Sequence, residues 1–279
     1  MKIAVTGASG FIGRAVLGAL SRRGMEAVAC AHANLEPLTS AGYKAVALDL
    51  HEAPDDAFGR LGRPDVLIHL AWGGLPNYRS LHHVESELPV QYRFLRGLVE
   101  AGLASLVVAG TCFEYGMQSG PLHEDLPARP ENPYGFAKDA LRRELEFLKA
   151  TKPFALTWAR LFYLHGEGQA ETSLLSQLRR AVAAGEKVFN MSGGEQLRDY
   201  LAVDEAAELL VELAVSHRDA GVVNVCSGRP VSVRRLVEGW IRDNGWSIGL
   251  NLGHYPYPDY EPMAFWGERR KLDGILGGR

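Results

Sequence analysis

Residues Lys2 to Gly13 read K-I-A-V-T-G-A-S-G-F-I-G, and this stretch decides the fold. Ile3 to Val5 is a short apolar run suited to a buried strand, and Lys2 to Thr6 is taken as that strand. Glycines follow at Gly7, Gly10 and Gly13, and a helical pattern begins at once, with apolar residues at Ile12, Ala15, Val16, Ala19 and Leu20. A glycine-rich turn between a strand and a helix uses its glycines for a tight turn, for close approach of a diphosphate to the backbone, and for helix-on-sheet packing without a Cβ. The helix start adds unpaired N–H groups and partial positive charge, which suit phosphate. Glycines between a strand and a helix also serve purely steric ends, so the turn by itself points to a dinucleotide without proving one.

Outward from the turn, short β-branched runs alternate with longer helical patterns, the mark of βαβ units and a parallel sheet covered on both faces. Strands are expected at Ala27 to Ala31, Ala45 to Leu48, Val66 to Leu70, Ser105 to Ala109, Ala155 to Leu161 and Val222 to Val225. Helices are expected at Ile12 to Arg23, Val84 to Ala101, Tyr134 to Ala150 and Asp204 to Val215, with Pro133 suited to a first turn. The fold class is therefore α/β, a Rossmann-like doubly wound parallel sheet with a small C-terminal substrate-binding lobe. Residues 1–165 form the dinucleotide-binding domain, completed by returning segments near 198–226, and 166–197 with 227–279 form the lobe.

The 279 residues are 47% hydrophobic, enough for a full core, and 30 Lys and Arg against 33 Asp and Glu leave a formal charge of only −3. That balance gives no pull towards nucleic acid. No uncharged stretch approaches the roughly 20 residues that span a bilayer, and the opening apolar run is broken by glycine too early for a signal segment. Cys30, Cys112 and Cys226 lack C-x-x-C spacing, so neither disulfides nor a cysteine zinc site is expected, no metal is expected elsewhere, and a reducing cytoplasm fits. His82 and His83 are adjacent, diverge on a helix, and are expected at the surface.

Tyr134 and Lys138 lie four apart, one turn apart on one helix face. A phenol with a pKa of about 10 is a poor base at neutral pH, and a neighbouring ammonium, together with the positive nicotinamide ring of an oxidised cofactor, would draw it down to where general acid/base catalysis operates. Their catalytic assignment gains weight from the glycine turn, from Thr111 and from Asn132-Pro133 upstream.

The ordered motifs T-G-A-S-G-F-I-G at Thr6 to Gly13, H-L-A-W at His69 to Trp72, T-C-F-E-Y-G at Thr111 to Gly116 and N-P-Y-G-F-A-K at Asn132 to Lys138 resemble the extended short-chain dehydrogenase/reductase family, in the branch acting on nucleotide-diphosphate sugars. R-L-F-Y-L-H-G at Arg160 to Gly166, R-D-Y-L-A-V-D at Arg198 to Asp204 and N-V-C-S-G at Asn224 to Gly228 extend the likeness over nearly the whole length. The resemblance implies that Thr111 orients the substrate oxygen, that Tyr134 moves the proton, and that Lys138 also holds the nicotinamide ribose. It implies cofactor contacts from Gly7, Ser9, Gly10, Phe11, Ile12, Gly13 and Arg14, from Asp49 and Leu50 at the adenine, and from Leu70, Ala71 and Trp72 along the groove. The second strand ends at Ala31 and His32 where NAD-specific proteins carry an acid. With no carboxylate there, and His32 or Arg14 able to meet a 2′-phosphate, NADP(H) is preferred and NAD(H) remains open.

Dehydratases of this family carry an Asp-Glu pair after the threonine, whereas this chain has Cys112 and Phe113. Hydride transfer at one carbon, the reduction of a keto-sugar, is therefore the expected reaction. A 4-epimerase needs the same residues, and a non-catalytic NADP-binding regulator is the alternative of another class, opposed by the Tyr/Lys pair. Cys112, Phe113, Arg160 and Arg198 are the expected substrate contacts, the arginines through the diphosphate. Cys112 is otherwise a small apolar filler. H-Y-P-Y-P-D-Y at His254 to Tyr260 either stacks on a base or closes the lobe. Family likeness also implies a homodimer through the helices of Val84 to Ala101 and Tyr134 to Ala150.

Overall fold

The computed structural model describes residues 1–277, so the last two positions of the expected lobe lie outside the described residues. In chain order the elements begin β1 (Ile3–Thr6), α1 (Phe11–Arg22), β2 (Ala27–Ala31), α2 (Glu36–Ser40), β3 (Lys44–Ala47), α3 (Ala57–Arg60) and β4 (Val66–His69). A π-helical turn at His83–Glu87 runs into α4 (Leu88–Glu100), and β5 (Ser105–Thr111) runs into a 3-10 turn at Cys112–Tyr115. Next come β6 (Gly120–Leu122), α5 (Pro133–Thr151), β7 (Ala155–Leu161), β8 (Tyr163–His165), α6 (Leu174–Ala183) and β9 (Val188–Asn190). The chain closes with β10 (Leu197–Ala202), α7 (Val203–Val215), β11 (Gly221–Val225), β12 (Pro230–Ser232), α8 (Val233–Asp243), β13 (Gly249–Asn251), β14 (Phe265–Gly267) and α9 (Arg270–Leu276).

Seven strands form one sheet in the order β11-β7-β5-β4-β1-β2-β3, every pair parallel. The α/β doubly wound expectation holds. Strands β1, β4 and β5 are buried along their whole length, because helices cover both faces. One core, with Val5, Val16, Leu20, Ile68, Leu210 and Val211, lies beneath α1 and α7. The other, with Leu67, Leu95, Leu98, Leu106, Leu141 and Trp158, lies beneath α4 and α5. Three small sheets, β12-β10-β8, β13-β9 and β14-β6, build the remainder. Asp199, fully buried on β10, accepts N–H bonds from Ser227 at 2.7 Å, Gly228 at 2.9 Å and Gly267 at 3.3 Å, tying three segments together.

Two element bounds differ from expectation in ways that matter to the site. β5 runs two residues past Ala109 because its pairing with β7 continues to Thr111 opposite Leu161, so Thr111 is held by a strand rather than by a loop. The expected single helix from Val84 is instead a π-helical turn followed by α4, whose first turn holds Pro89, a residue with no N–H to extend the preceding ladder.

Candidate active site

The site is built at the C-terminal ends of β1, β4 and β5, where parallel strands feed into loops. At the end of β1, Gly7 has φ +66°, and a Cβ there would stand 2.8 Å from the Ala71 nitrogen. A Cβ on Gly13 would stand 2.2 Å from the Gly7 oxygen. These two glycines are therefore packing necessities. Gly10 differs: a Cβ would meet only the Gly7 oxygen, at 3.2 Å. It is the N-cap of α1, with no side chain capping that end. The first-turn N–H groups of α1 thus remain available to an anion, and the turn fits the diphosphate of a dinucleotide.

A groove of about 400 Å³ runs from this turn, lined by Gly7, Ser9, Gly10, His32, Asp49, Leu50, Leu70, Ala71 and Trp72, nine of the expected cofactor contacts. Phe11, Ile12, Gly13 and Arg14 lie outside its lining. Arg14 turns back to donate to the carbonyls of Ser9 at 2.5 Å and Gly168 at 3.2 Å, joining the turn to the loop after β8. The premise behind the NADP preference is corrected too: the Asp49 carboxylate stands 3.5 Å from the His32 imidazole, so this end of the groove does hold an acid.

Beneath the groove runs a buried polar chain that sequence reading missed. Thr6 Oγ1 lies 2.8 Å from His69 Nδ1, and His69 Nε2 lies 2.8 Å from Gln91 Oε1. Gln91 Nε2 donates to Glu87 Oε2 at 2.8 Å. Burial, helped by Lys138, pushes His69 down to about 3, so the ring is neutral and its N–H is free to donate to Gln91. Glu87 also meets His82 at 3.2 Å and His51 at 3.4 Å. Burial would raise its carboxyl, but the Gly73 N–H, Gln91 and the two histidines outweigh burial and hold it below the usual range. Glu87 and Gln91 share one segment, and their partners Thr6, His69 and His51 come from three others.

The expected proton-transfer residues lie next to this groove. Tyr134 starts α5, where Asn132 caps the helix by accepting from the Gly135 N–H at 2.8 Å. Thr111, at the end of β5, is near enough to the Tyr134 phenol to draw its pKa down. The Lys138 ammonium donates to the Ala109 carbonyl at 2.8 Å, lies 3.9 Å over the Trp72 ring, and stands 6.0 Å from the Tyr134 ring centre. Thr111, Tyr134 and Lys138 are thus brought together. Around Tyr134 stand His83 at 5.2 Å, Tyr78 at 5.5 Å, Trp72 at 6.0 Å and Phe113 at 6.3 Å between ring centres. This aromatic enclosure dominates the electrostatics. Burial pushes the Tyr134 phenol well above its ordinary value, with only Thr111 pulling it down, and burial lowers Lys138 to about 7. Among the protein's own groups, desolvation dominates the phenol.

Other expectations are corrected by placement. His83 is fully buried rather than exposed, accepting from Trp72 Nε1 at 3.1 Å and bonding the Asn77 carbonyl at 2.9 Å; His82 alone of the pair is exposed. Arg160 is 2% exposed and pairs with Glu114 at 2.6 Å while lying 4.3 Å over the Tyr115 ring, so its fork faces the protein rather than a diphosphate. Arg198 is buried as well, pairing with Glu261 at 2.9 Å and donating to the carbonyls of Leu197 and Met263. Cys112 is buried with its thiol pushed up by burial, as suits a filler. Phe113 lies tilted against Tyr78, with 4.9 Å between ring centres. A second cavity of about 480 Å³, lined by Tyr78, Arg79, Asn132, Gln169, Ser173 and Tyr260 among others, adjoins this aromatic wall. Tyr260, from the aromatic and proline segment, sits under the Arg79 guanidinium at 5.4 Å, and Arg79 pairs with Asp259 at 2.7 Å.

Residues 3–226 match the model of the NAD dependent epimerase/dehydratase family. The chain belongs to that family. Its likeness to the extended short-chain dehydrogenase/reductases of the nucleotide-sugar branch therefore stands, and it is an enzyme. Among relatives of this family, the dTDP-6-deoxy-L-talose 4-dehydrogenase (NAD(+)) of Aggregatibacter actinomycetemcomitans is 30% identical, covering 96% of this chain and 100% of that protein. The dTDP-6-deoxy-L-talose 4-dehydrogenase (NAD(P)(+)) of Kitasatospora kifunensis is 28% identical over 92% of this chain and 83% of its own. A solved structure of MoeE5 with UDP-glucuronic acid and NAD superposes with a TM-score of 0.83 at 27% identity, covering 99% of this chain and 93% of that one. Among the described residues, no helix is long and apolar enough to cross a membrane.

Proposed function

We propose that this family member transfers a hydride at one carbon of a nucleotide-diphosphate sugar, interconverting a 4-keto group and a hydroxyl, most favourably in the direction of reduction. The observation that carries this reading is the Thr111–Tyr134–Lys138 group lying beside a dinucleotide groove, with Cys112 and Phe113 where a dehydratase would need carboxylates. Two relatives named as 6-deoxy-talose 4-dehydrogenases support C4 of a 6-deoxy sugar as the reacting centre.

Bound NAD(P)(H) supplies or takes the hydride. The chain's own residues do the rest. Gly7, Ser9, Gly10 and the first turn of α1 hold the diphosphate, Asp49 and Leu50 the adenosine end, and Lys138 the sugar hydroxyls between. Tyr134, protonated in its buried setting, is ready to donate to the oxygen that gains charge as a carbonyl is reduced, and Thr111 fixes that oxygen. The aromatic shell of Trp72, Tyr78, His83 and Phe113 excludes water, which strengthens each polar contact made inside it. Asp49 beside His32 repels a 2′-phosphate, so we infer NAD(H) over NADP(H). Residues 1–165 with the returns near 198–226 serve the cofactor, and 166–197 with 227–277 serve the sugar nucleotide. We further infer a cytoplasmic homodimer through α4 and α5, supported by the exposed Phe136 and Phe147 on α5.

UDP-glucose 4-epimerases also lie among the relatives, one from Azospirillum brasilense at 28% identity over 85% of this chain, and epimerisation is the second reading. The experiment is a panel of nucleotide keto-sugars and sugars followed by reduced-nicotinamide absorbance, with NADH and NADPH compared. Tyr134→Phe is expected to lose about 10²–10⁴-fold in turnover while binding cofactor within about 2-fold of wild type. Full activity in that variant ends the assignment, and epimer formation without net cofactor change moves it to the second reading.

A further inference from the structure

Resting on that reading, we propose that Glu114 is a positioning residue for the reaction, its carboxylate gripping the peptide N–H of Thr111 and so setting the hydroxyl that meets the substrate oxygen. Glu114 is fully buried within the 3-10 turn after β5. Its Oε1 accepts from the Thr111 N–H at 2.9 Å and from the Trp158 indole at 2.8 Å, and its Oε2 accepts from Arg160 Nε at 2.6 Å. In return Thr111 Oγ1 accepts from the Phe113 N–H at 3.3 Å, which closes a capping box and fixes the side chain through its own backbone.

The approach is made possible by Gly110, where a Cβ would stand 2.7 Å from Glu114 Oε1 and 2.2 Å from the Trp158 nitrogen. The strand end is thus held at successive peptides: Lys138 binds the Ala109 carbonyl, Gly110 leaves space, and Glu114 binds the Thr111 N–H. A neutral amide could not reproduce this, since one of its two ends would present N–H groups to N–H donors. Arg160 leaves Nη1 buried without a hydrogen-bond partner, so Glu114 is the anion around which this cluster is arranged. The titratable groups that feel its charge are Arg160 on β7, Tyr134 and Lys138 on α5, and Cys112 on the turn.

A purely structural ion pair would move stability and binding alone, so the test reads more than activity. Glu114→Gln is expected to lower kcat by about 10–100-fold with KM and cofactor affinity within about 2-fold. Loss of the negative charge also favours deprotonation of Tyr134 and Lys138, so the alkaline limb of the kcat profile for reduction moves to lower pH. Glu114→Asp keeps the charge and hence the limb, with part of kcat restored. A substrate-free arm measures hydrogen exchange at the Thr111 amide, expected to quicken about tenfold or more in the Gln variant and by less in the Asp variant. Unchanged Thr111 exchange overturns the proposal, and so does a kcat loss that tracks cofactor affinity with no shift of the limb. If Glu114→Gln fails to fold, the same exchange measurement on Glu114→Asp decides. Wild-type protein that turns over no nucleotide sugar, yet whose Thr111 amide responds to these substitutions, refutes the functional reading and leaves the grip standing.

Discussion

Tyr134 and Lys138 sit one helical turn apart, which the sequence shows directly, but their protonation is set by residues far along the chain. Trp72, Tyr78, His83 and Phe113 come from two other segments to enclose the phenol, and no spacing rule links them to α5. Lys138 carries the measurable consequence. Its folded value of about 7 lies below the ordinary value of about 10.4, so between these limits the unfolded chain binds more protons and stability rises with pH. Below the folded value the ammonium is charged in both states and the full cost of burying it is felt. Lys138→Met should therefore stabilise the cofactor-free protein by on the order of 2 kcal/mol near neutral and lower pH. That advantage shrinks towards zero as pH climbs through the window. Urea unfolding of both proteins across the range checks it, and a difference independent of pH contradicts it.

At the scale of elements, the glycine turn separates packing from binding. Gly13 lies against the Gly7 oxygen, so Gly13→Ala forces α1 from β1 and should cost about 1–3 kcal/mol. Gly10 is less crowded and has φ −74°, so Gly10→Ala should fold with a loss of about 1 kcal/mol but weaken cofactor binding about tenfold or more by filling the diphosphate approach. Thermal melts with cofactor titrations distinguish the two, and a Gly10→Ala protein that binds normally would remove the turn from the cofactor site. The strand–turn–helix order of this unit was legible because its glycines are local. The end of β5 was not: whether Thr111 belongs to a strand or a loop depends on pairing with Leu161, fifty positions away.

Across the whole molecule, the small sheets are joined to the seven-stranded sheet both by a buried apolar cluster of Cys112, Tyr115, Leu122, Phe162, Cys226 and Phe265 and by buried polar anchors such as Asp199. The faces of α4 and α5 away from the sheet are the other large-scale feature, with Phe147 76% and Phe136 51% exposed. If two chains pair there, the wild type elutes at the mass of a dimer and Phe147→Glu at that of a monomer, with catalytic geometry untouched in each chain. Elution of the wild type as a monomer rules the pairing out.

By itself the sequence determined the α/β class, the order of the parallel strands' hydrophobic runs, the glycine turn and the one-turn spacing of Tyr134 and Lys138, because periodicity, turn chemistry and i to i+4 spacing are local properties of a chain; Thr111 came with the family resemblance. Only the tertiary structure decided that Arg160 and Arg198 face Glu114 and Glu261, that Asp49 stands beside His32, that His83 is buried, and that Glu114 holds the Thr111 peptide. Each of those is a pairing between distant segments, and which charge meets which carboxylate is fixed by how the sheet and its loops bring them together, not by either residue's neighbours in sequence.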